Sequence, residues 1–294
     1  MATAAGIQPR RRTISRVRPA LAVLWGGLHG KIGTVLVVGM LLIIIVGPYV
    51  APYSDTAIVG NILEGPSRAH LFGTDFLARD VLSRFLNGGR SILILPLLAV
   101  AVAFSIGMTL GLFAGLKGGV IDLCITRAAE VVMSVPPLLM VLILLFTFGH
   151  SDAVLVVATG IFFAPRSIRI IRGAAHAVCT QDYVTAARAR GESDIAIVFR
   201  EILPNVTGPL LAELALRLTF AIIFISTLSF LGLGVQPPSP DWGLMISDGR
   251  AYFTQAPLPV LVPSIGIAAL TIGINLIADE ITAHLARNVQ PTST

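Results

Sequence analysis

Long apolar runs separated by short polar stretches dominate the chain. Ile32–Val50 is the cleanest run, with no charged residue between Lys31 and Asp55. Further uncharged runs occupy Ser91–Leu116, Val131–His150, Ala153–Pro165, Leu218–Trp242 and Ala251–Ala278. A helix rising 1.5 Å per residue needs about 20 apolar residues to cross roughly 30 Å of hydrocarbon. The pattern predicts six membrane-spanning helices, at about 32–50, 91–115, 128–149, 153–172, 208–233 and 260–283. The fourth is short and must run on through Arg166–Ile171 to span. The runs are continuous and do not alternate with period two, which argues against barrel strands.

Composition sharpens this picture. Of 294 residues 55% are hydrophobic and 13% charged, against about 25% charged in a soluble domain. So few charges cannot cover a fold of this size with a polar shell, which excludes a water-soluble enzyme. With both termini on the cytoplasmic side, 16 of the 21 Lys and Arg residues fall on the inner face, as the positive-inside rule requires. The net charge of +5 reads as topology and lipid contact, with no need for nucleic acid. Residues 1–31, with Arg10, Arg11 and Arg12 ahead of Ala20–Leu28, read as a cytoplasmic arm and an interfacial helix. A cleaved signal is disfavoured by Gly26, Gly27, His29 and Lys31 within its apolar stretch. Residues 32–285 form the permeating domain and 286–294 a cytoplasmic tail. Cys124 and Cys179 fall on the reducing side, and the five histidines are scattered without metal-ligand spacing.

Three polar segments carry the chemistry. Residues 176–206 form a cytoplasmic loop in which Thr185–Arg190 favours helix and Gly191 permits a positive-φ turn. Ile195–Ile202 begins a second amphipathic stretch, expected to stop before Pro204. The small side chains of Ala186 and Ala187 would let a partner approach closely. The outer loop, 51–90, holds Asp75, Arg79, Asp80 and Arg84 at spacings that would pair on one solvated helix face or contact a partner. The second outer loop, 234–259, is stiffened by Pro237, Pro238 and Pro240, and its Trp242 and Tyr252 suit the membrane interface. Within the spans, Glu213 and Arg217 are four apart in the favourable order and are expected to pair.

The run Thr185-Ala186-Ala187, Gly191, Leu203-Pro204 resembles the EAA loop of ATP-binding-cassette importer permeases, with Thr185 in place of the glutamate and Glu201 at the isoleucine position. Gly73-Thr74-Asp75-Phe76-Leu77-Ala78-Arg79-Asp80-Val81-Leu82-Ser83-Arg84 is similar to the G-T-D-x-x-G-R-D-V-x-S-R signature of peptide-importer permeases, with Ala78 replacing a glycine. Ser229–Gly243 and Asn275-Leu276-Ile277-Ala278-Asp279 resemble two further signatures of that group, Ala278 again replacing a glycine. The four matches follow the family's order from about residue 70 to 280. The chain resembles the second, C-type permease subunit of dipeptide/oligopeptide/nickel importers.

The resemblance implies an all-α polytopic membrane protein with the six-helix fold of type I importer permeases, in a bacterial or archaeal cytoplasmic membrane. It implies a non-catalytic subunit, half of an alternating-access passage for di- or oligopeptides. Nickel chelates or opines are the alternative cargoes, and an ion-coupled secondary transporter a remoter reading. Neither lysine lies in a Gly-Lys-Ser/Thr phosphate loop: Lys31 precedes Ile32, and Lys117 precedes Gly118. No cofactor is therefore expected on this chain, with ATP and Mg on partner subunits. The implied partners are a second permease, one or two ATPase subunits and an extracytoplasmic substrate-binding protein. Thr185, Ala186, Ala187, Gly191, Leu203 and Pro204 would meet the ATPase. Asp75, Arg79, Asp80, Arg84 and Trp242 would serve docking or gating outside.

Overall fold

The structure, a computed structural model, describes residues 25–289, with side chains as far as His284. Among the described residues ten α-helices follow one another: α1 (Leu28–Val50), α2 (Val81–Lys117), α3 (Gly119–Ser134), α4 (Pro137–Phe148), α5 (Asp152–Cys179), α6 (Asp182–Ala189), α7 (Asp194–Ile197), α8 (Thr207–Phe230), α9 (Trp242–Gly249) and α10 (Leu258–Val289). Helices α1, α2, α5, α8 and α10 are each long and apolar enough to cross a membrane, and α3 with α4 makes a sixth, bent crossing. Among the described residues there is no β-strand, only two isolated bridges in the outer segment.

The six-span expectation holds, with three corrections. Helix α2 begins at Val81, ten residues before the apolar run Ser91–Leu116, because Asp80 caps it: its Oδ2 accepts from Ser83 N at 2.7 Å. The third span is bent by 86° between Ser134 and Pro137. Pro136 and Pro137 remove two backbone donors there, and Val135 is pushed to extended backbone ahead of the ring. The chain from Leu28 onward already belongs to a span, and helix continues through residues 286–289 of the expected tail. The arm at 1–24, with the start of the expected interfacial helix, lies outside the described residues.

The spine of the bundle is the α2–α5 pair. Gly107, Gly111 and Gly115 recur every fourth residue on α2 and face Ser167, Ile171 and Ala175 at the same spacing on α5. A Cβ at Gly107 would stand 2.7 Å from Ser167 Cβ, and one at Gly111 2.9 Å from the Ile168 carbonyl oxygen. Backbones this close gain dispersion contacts that lipid tails cannot give, the usual logic of small residues repeated every four positions in membrane helices. At the C-terminal end of α2, Leu112, Leu116, Ile171 and Ala175 pack with Val184, Ala187, Ile197 and Ile202, so the loop between α5 and α8 is anchored on the spine.

The outer end is closed by residues 51–80 and α9. Trp242 is fully buried, stacked on Phe85 with ring centroids 4.8 Å apart, and its indole N–H donates to the Phe85 carbonyl at 2.8 Å. It is a core residue tying α9 to α2, its ring turned to neither lipid nor solvent as an interfacial anchor's would be; the buried indole N–H has found its acceptor. Tyr252, half-buried, stacks on Phe76 of the outer segment. Asp241, buried beside Trp242, caps α9 through Leu244 N and accepts from Ser91 at 2.8 Å. Burial raises its carboxyl above the usual carboxylate range, against the pull of the Ser91 and Leu244 hydrogen bonds. The native state then holds that proton more tightly than the unfolded chain, so this contribution to stability is lost as pH rises from the usual carboxylate range through the native pKa. Asp241→Asn retains a capping oxygen and cannot ionise. Its melting temperature minus that of the wild type is expected to increase from pH 4 to pH 8 in thermal unfolding in detergent.

Candidate functional site

The element between spans α5 and α8 is built on α6. Gly191 has φ +78°, and two hydrogen bonds close the helix end: Gly191 N donates to Arg188 O at 2.9 Å and Glu192 N to Ala187 O at 3.2 Å. This is the Schellman pattern, in which the residue after the cap adopts the left-handed conformation that suits glycine. Ser193 then caps α7 through Ala196 N. The second stretch does not stop before Pro204. It passes from α7 into a π-helical turn, Val198–Ile202, and a 3-10 turn, Leu203–Asn205, and meets α8 one residue later. Pro204 sits in the first turn of that 3-10 segment, where its missing N–H is not needed. The element is therefore continuous with span α8.

Its faces divide clearly. Val184 and Ala187 are fully buried against the spine, so Ala187 serves packing within the chain and is not presented to a partner. Thr185, Ala186, Gly191 and Pro204 are exposed, and Leu203 is half-buried. Arg188 Nη2 donates to the Leu116 carbonyl at 3.0 Å, and Lys117 pairs with Asp194, so both halves of the element are fastened to the C-terminal end of α2. Beside them Phe113, Ile195 and Phe199 line an apolar groove of about 280 Å³.

The four outer charged residues do come together, but in another environment. Asp75, Arg79, Asp80 and Arg84 are all buried and do not share one solvated helix face. Asp75 Oδ2 accepts from Arg79 Nε and from Arg84 Nη1, both at 2.7 Å, and Asp248 of α9 lies 3.6 Å from each guanidinium. Asp80 accepts from Ser83 and contacts His70 Nδ1 at 3.1 Å. Burial pushes the Asp248 carboxyl up, opposed by Arg84 and Arg79. Removed from water, these pairs do more than the few tenths of a kcal/mol of solvated ones. They lock the outer segment to α2 and α9. Asp248 has no signal of its own in the sequence.

Ala78 completes this segment with φ +58°, buried, in the position where the resembling signature carries glycine. A left-handed conformation costs an L-residue on the order of 1–2 kcal/mol. Ala78→Gly is expected to raise the melting temperature of the detergent-solubilised protein, by about 1 kcal/mol of stability after glycine's greater unfolded-state entropy is set against the relief.

In the membrane, Glu213 and Arg217 pair as expected: Glu213 Oε1 accepts from Arg217 Nε at 3.0 Å and from Ser167 of α5 at 3.0 Å, with the guanidinium over Phe163. Asn275 Oδ1 accepts from Thr219, linking α10 to α8. Among the described residues no group of three His, Cys, Asp or Glu side chains is placed to hold a metal ion. Cys124 is exposed, Cys179 half-buried, and both are free.

Five apolar spans, a sixth broken at its middle, and an amphipathic element rooted in two of them define a multi-pass membrane protein. Residues 107–291 match the family model described as the binding-protein-dependent transport system inner membrane component. The chain belongs to that family, the permeases of ATP-binding-cassette importers, and within it to the dipeptide-type group. It is 34% identical over 250 residues to the dipeptide transport system permease protein DppC of Alkalihalophilus pseudofirmus, covering 84% of this chain and 82% of that one. It is 38% identical over 216 residues to the glutathione transport system permease protein GsiD of Pectobacterium atrosepticum, covering 74% and 72%. It is 34% identical over 276 residues to the probable D,D-dipeptide transport system permease protein DdpC of Escherichia coli, covering 94% and 93%.

Proposed function

We propose that the chain forms half of the passage of an ATP-driven importer for di- or oligopeptides and receives the work of a separate ATPase through α6. The observation that carries the coupling role is the exposed ridge Thr185–Ala186, ended by the Gly191 turn and anchored through Arg188 and Asp194 on α2. A push on that ridge reaches α2 and α5 through the buried contacts of Val184 and Ala187, and α8 through the unbroken turns at 198–205. Alternating access requires such a rigid connection between a nucleotide-driven closure and the spans.

ATP and Mg bind the partner ATPases in this reading, one or two chains of them. A second permease closes the passage, and a substrate-binding protein delivers cargo at the outer face. Both termini lie in the cytoplasm. The peptide cargo is supported by relatives named for dipeptides and glutathione. The test is uptake by the complete complex reconstituted in proteoliposomes, offered di-, tetra- and longer peptides. ATP-dependent accumulation of one length class is expected, and uptake indifferent to ATP, or of no peptide at all, contradicts the reading.

A further inference from the structure

The arginines at membrane depth divide into two sets. Arg172 donates from Nη2 to Asp122 at 2.6 Å, Arg217 pairs with Glu213, and Arg127 with Glu130 at 2.7 Å. Arg166 and Arg169 of α5 are exposed and make no hydrogen bond or ion pair among the described residues. Their depth follows from Ser167, which lies between them, bonds Glu213 of α8 and abuts Gly107 of α2. Gly107 is ten residues before the cytoplasmic end of α2, about 15 Å, and Glu213 six residues after the start of α8, about 9 Å. Both arginines therefore lie within the stretch of α5 that is long and apolar enough to cross a membrane.

The face they occupy is equally defined. Ser167, Ile168, Ile171 and Ala175 turn toward α2, while Arg166, Arg169, Ile170, Gly173 and Ala177 lie on the exposed side at spacings of three and four. Cationic side chains at this depth face a water-filled path or a counter-charge, and lipid is the costly alternative. The continuation of the face carries Gly173, His176 and Ala177, all exposed, and a Cβ added at Gly173 would meet nothing within 4 Å. Two like charges three residues apart on one helix repel each other, and an anion held between them relieves the repulsion. A guanidinium pair presents parallel donors suited to a planar carboxylate.

We propose that Arg166 and Arg169 line the inner half of the translocation passage and take the carboxylate of the cargo as it moves toward the cytoplasm. The carboxylate assignment rests on the peptide reading above; the aqueous position does not. The pair is a binding and guiding site, and no covalent chemistry is involved.

Two measurements on the complete reconstituted complex test it. In the first, uptake of a dipeptide with a free C-terminus is compared with that of its C-terminal amide. Arg166→Gln with Arg169→Gln is expected to lower the free-acid to amide uptake ratio at least ten-fold, and the double lysine variant to keep most of it. An unchanged ratio overturns the carboxylate role. In the second, Arg166→Cys or Arg169→Cys is placed in a background with Cys124→Ser and Cys179→Ser, and an anionic sulfonate thiol reagent is applied from the cytoplasmic side. Modification at a rate within about ten-fold of that at an exposed Ala186→Cys is expected. Absence of modification in every nucleotide state shows that lipid or the partner permease seals the face, and overturns the proposal. Failure of the wild-type complex to take up either peptide form removes the peptide reading and the carboxylate with it, and the labelling rate still decides the aqueous position.

Discussion

Gly191→Val is expected to reduce ATP-driven uptake by about 5–30-fold while the complex still assembles in part. The cause is backbone conformation. Gly191 sits at φ +78° and a Cβ there would meet nothing within 4 Å, so no collision is involved. A β-branched residue is strained in this region, by on the order of 1–2 kcal/mol. The chain relieves the strain by opening the turn that closes α6. The bonds from Gly191 N to Arg188 O and from Glu192 N to Ala187 O are then lost, and the hand-over from α6 to α7 goes with them. One to two kcal/mol is a factor of about 5–30 in the population holding the native geometry. Asparagine enters the left-handed region more readily than other non-glycine residues, so Gly191→Asn should retain several-fold more uptake than Gly191→Val. Equal loss in the two variants would show that the turn conformation is not what matters. The measurements are peptide uptake and substrate-stimulated ATP hydrolysis in proteoliposomes.

Glu213→Ala is expected to be the most destabilising single substitution considered, by about 3–5 kcal/mol, because it leaves the Arg217 guanidinium buried without its counter-charge. Ser167 loses its acceptor in the same step, and with it the hydrogen bond that joins α5 to α8. Little folded protein should survive extraction in detergent. Glu213→Gln keeps an oxygen for Ser167 and should fall between Glu213→Ala and the wild type. Replacing the pair together, Glu213→Leu with Arg217→Met, removes both charges and should recover most of the folded yield. A double variant as unstable as Glu213→Ala would mean that the pair itself, beyond the cost of an orphaned charge, holds the helices. Size-exclusion yield and melting temperature distinguish these outcomes.

How much of the fold and the site is legible in the sequence depends on which interaction decides each element. The spans are readable because continuous apolar runs have one solution in lipid. The α6 turn is readable because Gly191 and the small residues around it are local signals, and the hydrogen bonds that close the turn involve neighbours in sequence. The outer charges mislead because their spacings of four and five fit a solvated helix, whereas the partner that completes the network, Asp248, lies more than 160 residues along the chain. Trp242 misleads for the same reason: its acceptor is the Phe85 carbonyl, 157 residues away. The stripe Gly107, Gly111 and Gly115 is visible in the sequence as a four-residue repeat, and that spacing alone marks α2 as a helix built for close packing. The burial of Ala187 has no such signal, since a small residue fits an inner packing face as well as a docking face.

The outer and inner ends also differ in how they hold charge. Outside, Asp75, Arg79, Arg84 and Asp248 neutralise one another under cover and fasten α2 to α9. On the cytoplasmic element, Arg190 and Glu192 pair at the exposed turn, and Lys117 with Asp194 lies half in water. Buried pairs are expensive to break and suit a rigid cap, whereas exposed pairs contribute about 0–1 kcal/mol and exchange readily with a partner's charges. Under the proposed function, the end that meets an ATPase is the end whose charges re-pair most readily.

The central claim, that α6 is where the ATPase meets this chain, is tested most directly by cross-linking from Ala186. Ala186→Cys in the Cys124→Ser, Cys179→Ser background, with a short bifunctional reagent joining that thiol to amines within about 10 Å, should couple this chain to an ATPase subunit. The yield should change when ATP is bound without hydrolysis. No cross-link to an ATPase in any nucleotide state, with the same reagent joining the ATPase to Leu71→Cys of the outer segment, would contradict the account.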